Sequence, residues 1–412
     1  MSRPIPPDSF MGRYLSYMRN QETAEPFDLW SALWCVGAAC ARATYVNRPR
    51  APVYLNMFVV LIGESGIARK TTSVAMASKV ARSTVDCYDD VGFLDAKLTP
   101  EALDLMLHDR TEQFGNAQIA IAVPELAVFM GTERYIAHMP TTLTDLYDCP
   151  SVRHGGGTIR RGEVFQKNVW IHFISASTPA WLLKTVNPNV VEGGFTSRCY
   201  FVISNQPKQR IAWPVASDQD LYQDICEDLR IISVEARTRP PIELRSDALE
   251  YFTLWYSERI HSAEAYRQSF ESREDAHVLR VAALLSINDG TWQIQPAHIR
   301  CAIEELAVIK ENAAKIFDVS PIRNRYAIAF DKIRLQLLSA GMDPVPRSRL
   351  GLSARASVGA QGFAELLSVM QELGVIQRFD LHNRRGRPVD LIRGTRKLLD
   401  EGISEKVLSR FS

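Results

Sequence analysis

Between Gly63 and Thr72 the chain reads Gly-Glu-Ser-Gly-Ile-Ala-Arg-Lys-Thr-Thr, directly after the apolar run Met57–Ile62. Glycines let backbone N–H groups turn inward around an anion. A lysine adds a mobile charge, hydroxyls can hold a metal, and a helix beginning at about Lys70 adds its positive end. The pattern is close to the triphosphate-cradling spacing of a glycine, four spacers, then Gly-Lys-Ser/Thr. It departs in two ways: Gly63 to Lys70 is one residue too long, and Arg69 stands where a glycine is expected. The expected nucleotide contacts are Gly63, Glu64, Ser65, Gly66, Ile67, Ala68, Arg69, Lys70, Thr71 and Thr72. Lys70 would reach the β- and γ-phosphates of ATP. Thr71 is the first choice for Mg²⁺ and Thr72 the second.

Three further positions fit the same chemistry. The apolar run Gln118–Leu126 reads as one strand ending in a carboxylate, Glu125, directly after Pro124. A run without alternation is expected of a parallel strand buried on both faces, and ligands gather at the carboxyl edge of such a sheet. Glu125 is therefore the expected water-orienting carboxylate, although Pro124 stands where an acid is usual. A second buried strand over Val169–Ser175 leads to Ser177 and Thr178, candidates to sense the γ-phosphate or attacking water. Arg198 follows Gly193-Gly194 and precedes the strand Cys199–Ile203, a position suited to a charge-stabilising arginine donated to a neighbouring subunit.

Basic residues suit a polyanion. His154, Arg160, Arg161 and Lys167 flank three consecutive glycines in an expected loop or hairpin. From Pro321 onward there are 16 Lys/Arg against 9 Asp/Glu, a surplus of seven in a chain of net charge +1. That segment is expected to order itself as helix Tyr326–Ser339, a short helix Arg347–Leu352, helix Gln361–Leu373, and two strands around Leu381–Pro388. This is a winged-helix order. Arg384, Arg385 and Arg387 would lie at the wing tip, with Arg347, Arg349 and Arg355 near the recognition helix.

The elements that must position these groups are ordinary for a globular chain. Its 412 residues are 46% hydrophobic and 23% charged, enough for two or three domains. Helices are expected at Ser9–Arg19, Phe27–Thr44, Thr99–His108, Thr141–Tyr147, Asp247–Ile260, Asp275–Ile287 and Pro296–Ile316. The implied division is 1–50 N-terminal helices, 51–215 core, 216–320 helical lid and 321–412 winged helix. Seven scattered cysteines show neither disulfide nor zinc spacing and fit a reducing, cytoplasmic setting. No signal peptide or bilayer-length apolar run is read.

Taken in order, GESGIARKTTS, AVPELAVFMG, the glycine-rich basic loop, ISASTPAWLL, GGFTSRCYFV and SREDAHVLRVAALL resemble a known group. They are similar to the helicase-like P-loop NTPases of phages, plasmids and other mobile elements (the YfjI-like group). The resemblance covers about Ser9 to Phe317. It implies an α/β, AAA+-like P-loop core with a parallel sheet and a helical lid, assembling as a ring, expected to be a hexamer. It implies a DNA-dependent ATPase using ATP and Mg²⁺ in replication, with a primase as a partner on another chain. It puts Lys70 and Thr71 on nucleotide and Mg²⁺, Glu125 on water, and Arg198 as the finger, while Arg273 and Arg280 are weaker sensor candidates. The alternatives are an ATP-switched initiator or loader, and a non-hydrolysing DNA-binding scaffold.

Overall fold

Apolar runs that alternate with helices can cover both faces only by pairing in parallel. The computed structural model describes residues 5–85, 90–130, 138–155, 164–185, 194–213, 218–317, 321–341, 343–382, 388–400 and 402–411. It divides into two compact units, Met1–Asp318 and Val319–Ser412.

In the first unit, β1 (Tyr45–Val46) and β2 (Val53–Tyr54) form a small antiparallel ribbon. The main sheet comprises β3 (Phe58–Ile62), β4 (Gly92–Leu94), β5 (Gln118–Val123), β8 (Trp170–Ser177) and β9 (Cys199–Ile203). Its order is β4-β5-β8-β3-β9, with every pair parallel. The short hairpin β6 (Val152–His154) with β7 (Phe165–Lys167) precedes β8. β10 (Glu243–Leu244) and β11 (Gln293–Ile294) pair elsewhere. Numbered by their order in the chain, the main strands run 2-3-4-1-5 across the sheet, so β8 separates β3 from β5.

Alternation along β8 shows how the sheet is covered. His172 stacks on Trp34 of the helix Glu25–Cys40, while Phe173 packs on Phe129 of the helix Leu126–Met130. Successive side chains point to opposite faces, so helices lie on both. The helix Glu25–Cys40 is buried along its length apart from Glu25 and Pro26. A helix buried on all sides needs neighbours all round. It finds them in the sheet and in the helices Phe10–Met18, Lys70–Val85, Gln219–Thr238 and Glu274–Asn288. The segments expected as N-terminal helices, core and lid share one hydrophobic cluster from Phe10 to Ala314, and therefore one body.

Several elements differ in length from expectation. The helix Pro100–Phe114 passes His108, because Leu103, Leu107 and Thr111 continue its buried stripe. It stops at Gly115, whose φ of 71° provides a left-handed cap. The strand ending near Glu125 stops at Val123, ahead of Pro124.

The second unit has its own core, with Phe330, Ile333, Leu350, Phe363, Leu366 and Ile392 fully buried. Its elements are the helix Pro321–Ser339, β12 (Val345–Pro346), a helical stretch Arg347–Glu372, β13 (Ile376–His382) and β14 (Pro388–Gly394). The strands form an antiparallel sheet ordered β12-β14-β13. The first part of the helical stretch is longer than Arg347–Leu352. Buried Leu350 and Ala354 carry the periodicity on, and it breaks only at Gly359, with φ 74° and ψ −177°.

Candidate functional site

The carboxyl ends of β3, β5 and β8 open into a cleft of about 380 Å³. Its lining includes Ser65, Gly66, Arg69, Lys70, Thr71 and Thr72 from the 63–72 loop, Glu125 after β5, Ser177 at the end of β8, and Thr178 and Trp181 beyond it. Residues read from three separate motifs thus meet at one place. The helix Lys70–Val85 begins at the cleft; Thr72 N–H donates to the Arg69 carbonyl at 2.9 Å, and the N–H groups of Lys70 and Thr71 come before that first bond.

The loop is tightly constrained at its root. A Cβ on Gly63 would lie 2.6 Å from the carbonyl oxygen of Ser204, so only glycine fits between the ends of β8 and β9. Gly63 N–H donates to the Ser177 carbonyl at 3.3 Å, and Glu64 N–H donates to the Asn205 side-chain oxygen at 3.2 Å. Further along, the loop enters left-handed φ twice, at Gly66 (φ 78°) and at Arg69 (φ 45°). The second is unusual for a residue with a Cβ. The Arg69 guanidinium pairs with Glu22 at 3.0 Å, and the other Glu22 oxygen accepts the Ile211 N–H at 2.9 Å. The Ile211 hydrogen bond, followed by Arg69, holds the Glu22 carboxyl below the usual carboxylate range.

Lys70 is held lightly, its Nζ 3.5 Å from the Glu64 carbonyl oxygen. Thr71 is exposed and Glu125 is exposed. Ile67 is exposed and Ala68 is buried, so Ala68 supports the loop from beneath. Ser177 ends β8 and is nearly buried. Thr178 Oγ1 accepts the Trp181 N–H at 3.3 Å, capping the helix Pro179–Thr185. Its own proton is still available to a ligand.

Beneath the loop, Asp28 is buried and accepts from Ser73 Oγ, Thr23 Oγ1 and Lys208 Nζ. Burial pushes the Asp28 carboxyl up, and Lys208 opposes that shift.

Arg198 lies at the other end of the sheet. It precedes Cys199, which registers with Phe58 at the start of β3. Five residues at ~3.3 Å each, from Arg198 to Ile203, put it about 16 Å along the strand from the cleft. Its guanidinium bonds Asp148 at 3.0 Å and the Gly194 carbonyl at 2.9 Å, and is nearly buried. Arg273 bonds the other Asp148 oxygen at 3.2 Å. Arg280 is buried and donates to the Tyr54 carbonyl at 2.8 Å and Tyr200 Oη at 3.2 Å. Neither Arg273 nor Arg280 lines the cleft.

The basic residues are distributed unevenly. His154 and Lys167 are exposed on the β6–β7 hairpin, with Lys167 over the Phe165 ring. Arg160 and Arg161 lie outside the described residues, as do Arg384, Arg385 and Arg387. In the second unit Arg349 and Arg355 are exposed, and Arg347 lies 3.5 Å from Asp390. The exposed positions of the helix after the Gly359 break are Ala360, Gln361, Glu365, Ser368, Gln371 and Glu372, with no cation among them. The cations sit before the break, so the helix expected to read bases is neutral to acidic.

No protein-family model matches the chain, and no curated protein matches it.

Sequence reading alone did not find Glu22, Asp28, Asn205, Lys208 or Trp181. Glu22 and Asn205 meet the 63–72 loop from far along the chain, Asp28 and Lys208 lie behind the start of the helix that follows it, Trp181 lines the cleft, and none sits in a recognisable spacing. Among the described residues no group of three or more His, Cys, Asp or Glu side chains could hold a metal ion, and no helix is long and apolar enough to cross a membrane.

Proposed function

We propose that the first unit binds and hydrolyses a nucleoside triphosphate, and that the whole chain is a DNA-dependent, ring-forming ATPase of the helicase-like kind. The observation that carries this reading is the meeting of the 63–72 loop, Lys70, Thr71, Glu125 and the Ser177–Thr178 turn in one cleft at the carboxyl edge of a parallel sheet.

The roles follow from position. Backbone N–H groups of the loop and the start of the helix Lys70–Val85 cradle phosphate oxygens. Lys70, held only lightly by Glu64, turns its ammonium onto the terminal phosphates. Thr71 offers an exposed hydroxyl to Mg²⁺, which would otherwise depend on phosphate oxygens and water, as this hard cation commonly does. When bound, Mg²⁺ neutralises charge on the phosphates. Glu125 orients a water, and Ser177 or Thr178 hydrogen-bonds the terminal phosphate. Arg198 is too far from the cleft of its own chain, so it would act on a neighbouring copy after leaving Asp148.

DNA contact would run through Arg347, Arg349 and Arg355 and the 383–387 segment, in a winged-helix order of elements, rather than through the helix after Gly359.

The test is nucleotide binding by calorimetry together with DNA-stimulated phosphate release. Lys70→Ala is expected to weaken binding about 100-fold. Glu125→Gln should bind but turn over about 100-fold more slowly. Arg198→Ala should bind and lose stimulated turnover. Full activity in all three variants rejects the assignment. Strand displacement on a forked substrate separates a motor from an initiator or loader.

A further inference from the structure

Arg69 is the point where the loop departs most from its expected pattern, and its backbone explains why the departure matters. The residue before the lysine adopts left-handed φ, the conformation that a glycine takes without strain. A side chain at this position is strained, and such a residue persists only where its surroundings hold it. An exposed ion pair between two free side chains would hold it weakly. Glu22 is not a free side chain. One of its oxygens is fixed by the Ile211 N–H at 2.9 Å while the other takes the Arg69 guanidinium at 3.0 Å.

The same short segment grips the helix start a second time. Asp28 accepts from Ser73 Oγ at 3.1 Å, and Lys208, whose Nζ bonds Asp28, also donates its backbone N–H to the Thr23 carbonyl at 3.0 Å. The connection after the helix Phe10–Met18 and the segment after β9 therefore brace the junction of loop and helix from one side.

We propose that Glu22 is a positioning residue for the phosphate loop: by anchoring Arg69 it holds the left-handed turn that aims Lys70 and the following N–H groups at the phosphates. In this role the Arg69 guanidinium is an anchor and does not contact phosphate. Glu22 stays ionised for the purpose, since the Ile211 N–H and Arg69 both favour its carboxylate. The inference rests on the proposed function. It adds that a glycine at position 69 would make the anchor unnecessary.

The test is calorimetry of a non-hydrolysable ATP analogue with Mg²⁺ on the full chain. Glu22→Ala is expected to weaken binding about tenfold. Glu22→Gln, which keeps the acceptor for Ile211, should fall between it and the wild type. Arg69→Gly should bind within about twofold of the wild type. The double variant Glu22→Ala/Arg69→Gly should match Arg69→Gly, because no side chain is left to anchor. Unchanged or tighter binding in Glu22→Ala overturns the inference. So does a loss in Arg69→Gly as large as that in Lys70→Ala, which would make Arg69 itself a phosphate contact. A double variant as weak as Glu22→Ala also overturns it. A wild-type chain that binds no nucleotide overturns the proposed function as well, whereas normal wild-type affinity with an indifferent Glu22→Ala overturns this inference alone.

Discussion

The two ends of the parallel sheet carry similar residue types in opposite states. At the carboxyl end Lys70, Thr71 and Glu125 are accessible, and Lys70 has one long contact with a carbonyl oxygen. At the amino end Arg280 and His277 are buried with close partners. His277 bonds Tyr200 Oη at 2.7 Å and the Ser197 carbonyl at 2.8 Å. Polar groups with spare bonding capacity are set for a ligand, whereas groups whose capacity is used internally hold the fold. A cation at the wrong end of a sheet is therefore poor evidence of catalysis until its partners are known.

Acid should expose the closed end first. Burial pushes His172 and His277 down to about 3 from 6.5, with Arg280 adding to the shift at His277. The unfolded chain binds these two protons below pH 6.5 and the folded chain does not, so stability is complete above pH 6.5 and falls as the pH drops toward 3. The slope is about 1.4 kcal/mol per pH unit for each histidine, or ~4 kcal/mol for the pair between pH 6.5 and 5. Denaturant titrations across that window measure it, and His277→Gln should roughly halve the slope.

Next in size is Arg280→Ala. It leaves the Tyr54 carbonyl and Tyr200 hydroxyl without their donor inside the core. The expected cost is about 2–4 kcal/mol in chemical denaturation. A cost below 1 kcal/mol would break the contrast between the two ends. Lys70→Ala should leave folding unchanged and weaken nucleotide binding about 100-fold, or ~2.7 kcal/mol. The smallest effect is expected at Arg198. Its partner Asp148 is more than half exposed, so Arg198→Ala should cost only about 1 kcal/mol of stability. A loss equal to that of Arg280→Ala would group Arg198 with the structural arginines.

The sheet was legible because three of its strands are apolar without alternation, and such runs admit little besides burial on both faces. The cleft was legible for a related reason: Lys70, Glu125 and Ser177 each follow such a run, and parallel pairing gathers their ends. What escaped was long-range. Glu22 meets residues 69 and 211, and Arg198 meets Asp148, through packing that no local spacing encodes. Helix lengths escaped where polar residues carry a buried stripe onward, as Thr111 does in Pro100–Phe114. The left-handed turn at Arg69 escaped because arginine gives no local signal for it. The neutral surface after Gly359 could have been read from the sequence by taking every third or fourth residue. There the charge surplus of the whole segment hid its uneven distribution.

The helix Glu25–Cys40 has a consequence for biosynthesis. Its neighbours reach as far as Asn288, so it leaves the ribosome long before its last partner is made. At about 5–20 residues per second, that interval is on the order of 10–50 s. A segment of such mostly apolar residues must spend that time sheltered by a chaperone or by early contact with Lys70–Val85, and it is the stretch from which aggregation of the nascent chain would start.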